Sequence, residues 1–301
     1  MGIRRRCPVR SCIASVLLFV SFSAPVLPQQ QDAPPIRLVR RGLDLPPGAT
    51  FFRDMAYGQA SSQIMDVYLP PNPRNAPIIL MVHGGGWRIG DKTLSDVVVN
   101  KANHWLRRGY VFISADNRLL PSARPLEQAQ DVAKALSVVQ AKAASWGADP
   151  NRIVLMGHSA GAHLVDLLST SPSLVAGQGA KSWLATVSLD TATLDLMETM
   201  QGPHYRLYDN AFGSDPAYWN QNSPMQQLTR TPMPMFLICS TIRPDHPCPQ
   251  AERFAAKVKS LGGRAMVLPQ NLSHMQVNAN LGLPGAYTDA VDAFLQKLGL
   301  P

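Results

Sequence analysis

Gly157-His158-Ser159-Ala160-Gly161 sets a serine in the pattern G-x-S-x-G. By itself the pattern is common, and a serine in an ordinary tight turn would satisfy it. Its surroundings carry more weight. An apolar run, Arg152 to Met156, predicts a strand directly before it. Ala162-His163-Leu164-Val165-Asp166-Leu167-Leu168 is helix-compatible directly after it. A strand, a sharp turn and a helix are what lift a nucleophilic serine out of a sheet. The turn needs small residues at Gly157 and Gly161. The helix start then presents free N–H groups to developing negative charge.

A second cluster, His83-Gly84-Gly85-Gly86-Trp87, follows the apolar run Ile78 to Val82. Acyl transfer requires donors aimed at the oxyanion of a tetrahedral intermediate. Backbone N–H groups supply them without reorganisation, and one such donor lowers the barrier by about 2.7–4 kcal/mol. A Gly triplet could otherwise be only a flexible turn. Its occurrence upstream of the serine pattern argues for the chemical reading.

With these two motifs the chain resembles the α/β-hydrolase superfamily, specifically carboxylesterases carrying HGGG and GxSAG, the hormone-sensitive-lipase-like group and its relatives. The likeness runs from about Phe51 to Leu298. It implies an α/β fold: a mostly parallel eight-stranded sheet flanked by helices, with the site at the carboxyl ends of the strands. It also implies an oxyanion hole built from the N–H groups of Gly85, Gly86 and Ala160, and the order serine, acid, histidine. The base is expected after the last strand, Arg264 to Leu268, where His274 stands. The acid is expected after the preceding strand, Met235 to Cys239, and Asp245 lies there, 29 positions ahead of His274. Ser159 would attack, His274 would take its proton, and Asp245 would orient the imidazole.

Other residues compete for these roles. Asp190 also ends a strand, and Asp195 or Asp215 could serve as the acid in another arrangement. His83 is expected to brace the glycine loop. His158 and His163 flank the nucleophile too closely to act as its base. Trp87, His158, Met275 and Tyr205 are candidates for contact with substrate. The chain departs from the resembled group in two ways. Asn117 replaces a usual Tyr, and the N-terminal region is too short for that group's large helical cap. Met275 after the base and Trp87 after the glycines are also similar to arylformamidases, so formamide hydrolysis is the enzymatic alternative. A catalytically silent binding module on the same scaffold is a more distant one.

The elements that must position these residues alternate. Strands are predicted over Ile36 to Arg40, Phe51 to Tyr57, Gln63 to Leu69, Tyr110 to Ala115 and Trp183 to Leu189, besides those already named. Helices are predicted over Val97 to Arg108, Leu126 to Trp146, Pro249 to Leu261 and Ala286 to Leu298. Such alternation implies a parallel sheet built from crossover units. The segment 191–229, rich in Met, Asn, Gln and aromatics, is expected to be an irregular lid-like or substrate-binding insert within one domain spanning 29–301.

Residues 1–28 have the makings of a secretory signal: a basic stretch, then the apolar run Ile13 to Phe22, too short to span a bilayer. A retained anchor is the alternative. Export would leave Cys239 and Cys248, nine positions apart, free to pair; the alternative is a buried Cys239 with a separate Cys248. The formal charge is +8, but loss of Arg4, Arg5, Arg6 and Arg10 leaves Lys+Arg 24 against Asp+Glu 20. The remaining cations are scattered, which argues against nucleic acid as a partner. No metal cluster and no phosphate-binding loop is evident, so no cofactor is expected. A small-molecule ester is the partner implied, in a secreted or periplasmic setting.

Overall fold

Eight strands run in the spatial order β1-β2-β4-β3-β5-β6-β7-β8. They are β1 (Thr50–Ala56), β2 (Ile64–Leu69), β3 (Ala76–Val82), β4 (Val111–Ala115), β5 (Ala148–His158), β6 (Ala185–Leu189), β7 (Met235–Ser240) and β8 (Ala265–Gln270). The β1–β2 and β2–β4 pairs are antiparallel and all other neighbours are parallel. This computed structural model describes residues 1–2 and 42–301. The leader 1–28 and the expected strand Ile36 to Arg40 lie outside the described residues. Residues 42–301 belong to one compact unit.

The central strands are buried on both faces, as a parallel sheet requires. In β3 all seven residues are buried, and alternate side chains enter opposite cores. Ile78, Leu80 and Val82 join Val132 and Leu136 of α2 (Pro125–Lys142) and Leu164 and Leu168 of α3 (Ala160–Thr170). Ile79 and Met81 join Val97 and Trp105 of α1 (Ser95–Leu106) and residues near the C-terminus such as Val291 and Leu295. The sheet is therefore covered on both sides, and its strand tips are the place left for a cleft. Among the described residues no helix is long and apolar enough to cross a membrane.

The segment 191–229 differs from its expected irregularity. After a short α4 (Pro172–Gly177), it folds into α5 (Leu196–Gln201), α6 (Arg206–Phe212), α7 (Pro216–Gln221) and α8 (Pro224–Gln227). Their starts obey local rules. Asp195 accepts from the N–H of Glu198, Asp215 accepts from the N–H of Ala217, and Pro216 and Pro224 open their helices. Asp195 and Asp215 are thus helix caps.

Cys239, at the end of β7, and Cys248, in the first turn of α9 (Pro247–Ser260), form a disulfide. On a chain-entropy basis so short a closed loop contributes about 2–3 kcal/mol to stability. Beyond α9 lie β8, α10 (His274–Ala279) and α11 (Ala286–Gln296).

Candidate active site

The turn between β5 and α3 is tight enough to exclude side chains. A Cβ on Gly157 would lie 2.3 Å from the carbonyl oxygen of Gly161, and one on Gly161 would lie 2.4 Å from the carbonyl oxygens of Val82 and His83. The strain falls on Ser159, whose φ of 55° and ψ of −117° suit glycine rather than an L residue. A conformation of this kind costs about 1–3 kcal/mol and persists only where its surroundings hold it. Here the Ser159 N–H donates to the carbonyl of Leu189, the last residue of β6, at 2.9 Å.

His274 opens α10, where the Ser273 hydroxyl caps the helix. Its Nε2 lies 2.9 Å from Ser159 Oγ, and its Nδ1 lies 2.7 Å from Asp190 Oδ2. The carboxylate that meets the imidazole is therefore Asp190, not the expected Asp245. Asp190 follows β6 directly, is fully buried, and stands at φ 61°. Its own N–H donates to the Ile238 carbonyl, and its Oδ1 accepts from the Ser240 N–H at 2.7 Å. Burial alone would raise its pKa. The hydrogen bond from His274, the charge of Arg243 and the Ser240 N–H together outweigh that and hold it below the ordinary carboxylate value.

Asp245 lies five positions beyond the end of β7, and Arg243 intercepts it. The Arg243 Nε donates to Asp245 Oδ1 at 2.9 Å, and its Nη2 donates to Oδ2. The disulfide-closed loop thus carries an arginine–carboxylate pair beside the histidine, in place of the acid expected there. Burial disfavours the Arg243 cation, but the bonds to Asp245 and the field of Asp190 more than offset it and raise its pKa further.

Ser159, Gly85, Gly86, Ala160, Asp190, His274 and Met275 all line one cleft of about 730 Å³. Gly85 holds φ 122°, and a Cβ there would meet the Ile89 carbonyl at 2.0 Å, so the loop turns beside the serine only with glycine. Among the described residues, the N–H groups of Gly85, Gly86 and Ala160 donate to no protein acceptor. They are free to receive an oxyanion.

Residues 65–258 match the family described as BD-FAE. The chain belongs to the BD-FAE family. The matched stretch of this BD-FAE protein includes Ser159, Asp190 and Asp245 and stops short of His274. The probable isoprenylcysteine alpha-carbonyl methylesterase ICME of Oryza sativa subsp. japonica is 32% identical over 113 residues, which is 37% of this chain and 27% of the plant protein. Esterase LipC of Mycobacterium tuberculosis is 25% identical over 69% of this chain and 55% of its own length. The BD-FAE chain therefore spans between about a quarter and about half of these curated relatives. The structure of Thermogutta terrifontis esterase 2 in its apo form has a TM-score of 0.69 at 23% identity, covering 87% of this chain and 99% of that one. That likeness and the sheet order establish the α/β-hydrolase fold.

Three other histidines of this BD-FAE chain brace the site. His83 donates from Nδ1 to the Gly84 carbonyl at 2.7 Å. His158 donates from Nε2 to the main-chain oxygen of His274 at 3.0 Å, and the two rings lie 4.6 Å apart. His163 is fully buried, donates from Nε2 to the Asn222 carbonyl at 2.7 Å and accepts from Trp87 Nε1 at 3.3 Å. One imidazole thereby ties the glycine loop, the nucleophile helix and the α7–α8 connection together. Trp87 touches the cleft but is almost wholly buried, packed edge-on against Phe212 at 4.8 Å. Tyr205 and Met275 stand about half exposed on the cleft rim.

Burial pushes the His158 pKa down to about 3, with the His274 charge adding to it, and burial pushes His163 down to about 4. In the unfolded chain both take up a proton near pH 6.5. Between those limits the unfolded state binds more protons, so stability is full above about pH 6.5 and is lost as pH falls. The Tm is expected to drop steadily from pH 7 to pH 4.5, and the drop should flatten in His163→Gln. A Tm constant over that interval would contradict the neutral, buried assignment of both rings.

Arg243 is the residue that reading by motif passes over. Three features of the sequence signal it: its place in the loop after β7, its separation of two positions from Asp245, and enclosure by Cys239 and Cys248.

Proposed function

We propose that the chain is a carboxylic ester hydrolase that works through an acyl-enzyme on Ser159. The observation that carries this reading is the unbroken Asp190–His274–Ser159 hydrogen-bond chain, opening on a cleft lined by unoccupied N–H donors. With Nδ1–H committed to Asp190, the imidazole keeps its Nε2 lone pair for the Ser159 proton. As Oγ attacks the ester carbonyl, Nε2 takes that proton and Asp190 balances the imidazolium. The N–H groups of Gly85, Gly86 and Ala160 receive the oxyanion. Collapse returns the proton to the leaving alcohol. Water then repeats the sequence on the acyl-enzyme, with His274 as base.

A cleft of about 730 Å³ is of the size that holds a small-molecule ester. Relatives bearing the names methylesterase and esterase favour ester over formamide hydrolysis. The disulfide supports residence in an oxidising compartment, as an exported protein would have. The test is labelling by a fluorophosphonate, with turnover of p-nitrophenyl esters set against a formylated arylamine. Stoichiometric label on the peptide bearing Ser159 and turnover of the esters alone are expected. Absence of label and turnover would overturn the proposal, and faster cleavage of the formamide would redirect it.

A further inference from the structure

The loop between β7 and α9 brings a cation into the middle of the proton-transfer chain. The Arg243 side chain is 12% exposed. Its Nη1 donates to the Asp190 main-chain oxygen at 2.8 Å and lies 3.1 Å from Asp190 Oδ2. The same nitrogen lies 3.1 Å from His274 Nδ1. With Nδ1–H turned to Asp190, both of those nitrogens are donors, so their approach is no hydrogen bond. The guanidinium is held there by Asp190 and abuts the edge of the ring. Asp245, bonded to Nε and Nη2, fixes the guanidinium and attenuates its field.

An exposed pair of this kind would contribute little. This one is enclosed. The disulfide ties both ends of its loop, and Ser240, next to Cys239, gives its N–H to the other oxygen of Asp190. The loop therefore reaches Asp190 through Arg243 and Ser240, and its Ser240 and Thr241 hydroxyls donate to the Leu272 and Gln270 carbonyls of the segment that leads into His274. Resting on the ester-hydrolase reading, we propose that Arg243, clamped by Asp245, is a positioning residue that holds Asp190 against His274. The titratable and charged groups around that imidazole are Asp190 after β6, Arg243 and Asp245 in the loop, His158 ending β5 and Tyr208 on α6. Lys101 of α1 lies behind His158, and Tyr287 of α11 lies beyond Asp190. Of these, only the Arg243–Asp245 pair offers two charges of opposite sign that can be removed one at a time.

The experiment is kcat and KM for a p-nitrophenyl ester in wild type, Arg243→Met, Arg243→Lys and Asp245→Asn, with thermal melts to confirm folding. Arg243→Met should lower kcat about 10²-fold with KM little changed, because Asp190 loses the guanidinium that holds it against the ring. Asp245→Asn should lower kcat less, because the guanidinium keeps its bonds to Asp190 and loses only its clamp. Arg243→Lys should recover only part of the kcat lost in Arg243→Met, since an ammonium can reach Asp190 but lacks the fork that grips Asp245. A wild-type kcat in Arg243→Met, a loss confined to KM, or no recovery in Arg243→Lys would overturn the proposal. Failure of the ester-hydrolase reading would appear separately, as wild-type protein that takes no fluorophosphonate on Ser159.

Discussion

Asp190→Asn lowers kcat on a p-nitrophenyl ester by about four orders of magnitude, while Asp245→Asn lowers it by about tenfold or less at the pH optimum. The difference follows from which carboxylate touches the imidazole. Asp190 Oδ2 receives the Nδ1–H at 2.7 Å and fixes the tautomer that leaves Nε2 free. Asparagine at 190 can turn its NH2 toward Nδ1. The ring would then hold its proton on Nε2, facing Ser159, where it cannot accept another. Asp245 contacts Arg243 instead and acts only through it. Steady-state kcat of the two purified variants decides the matter. Comparable losses in both, or a larger loss at Asp245, would return the acid to the loop after β7.

The largest effect belongs to the nucleophile. Ser159→Ala should reduce kcat by about six orders of magnitude, leaving only what the oxyanion donors and substrate binding supply. The fold should not suffer. Ser159 pays for its position with φ 55° and ψ −117°, and glycine adopts that conformation freely. Ser159→Gly should therefore be as inactive as Ser159→Ala yet melt roughly 2–4 °C higher than wild type, which corresponds to about 1 kcal/mol in a chain of this size. Differential scanning calorimetry beside activity measurement reads both. A Ser159→Ala variant retaining a percent of wild-type turnover would remove Ser159 from the role. A Ser159→Gly variant melting below wild type would show the elbow to be unstrained.

What the sequence makes legible here is what local geometry dictates. The glycines around Ser159 must be small because backbone from β3 passes within contact distance of Gly161, and a pattern of five residues records that need. His274 is legible for a similar reason. It follows the last strand, in a stretch where no other histidine competes. The acid is not recorded in this way. Strands β6 and β7 are parallel neighbours, so their tips share one rim about 4.8 Å apart. A carboxylate after either can reach the same imidazole, and nothing local tells Asp190 from Asp245. The choice is made by Arg243, which holds Asp245 two positions away and reaches across to Asp190, and by the Ser240 N–H, which secures Asp190. The helices of 191–229 are hidden for another reason. Their cap signals at Asp195, Asp215-Pro216 and Pro224 are visible, but elements of four to seven residues are too short to show a helical period.

Two carboxylates at neighbouring strand tips also bear on how such a site changes over generations. A lineage that holds both can shift its acid from one strand to the next by altering the arginine between them, and at no step need it lose the ability to orient the histidine. The Arg243–Asp245 pair is the contact such a passage would have to open. The acid is therefore the member of the site with a second carboxylate at the neighbouring strand tip, and Arg243 is the lock on that exchange.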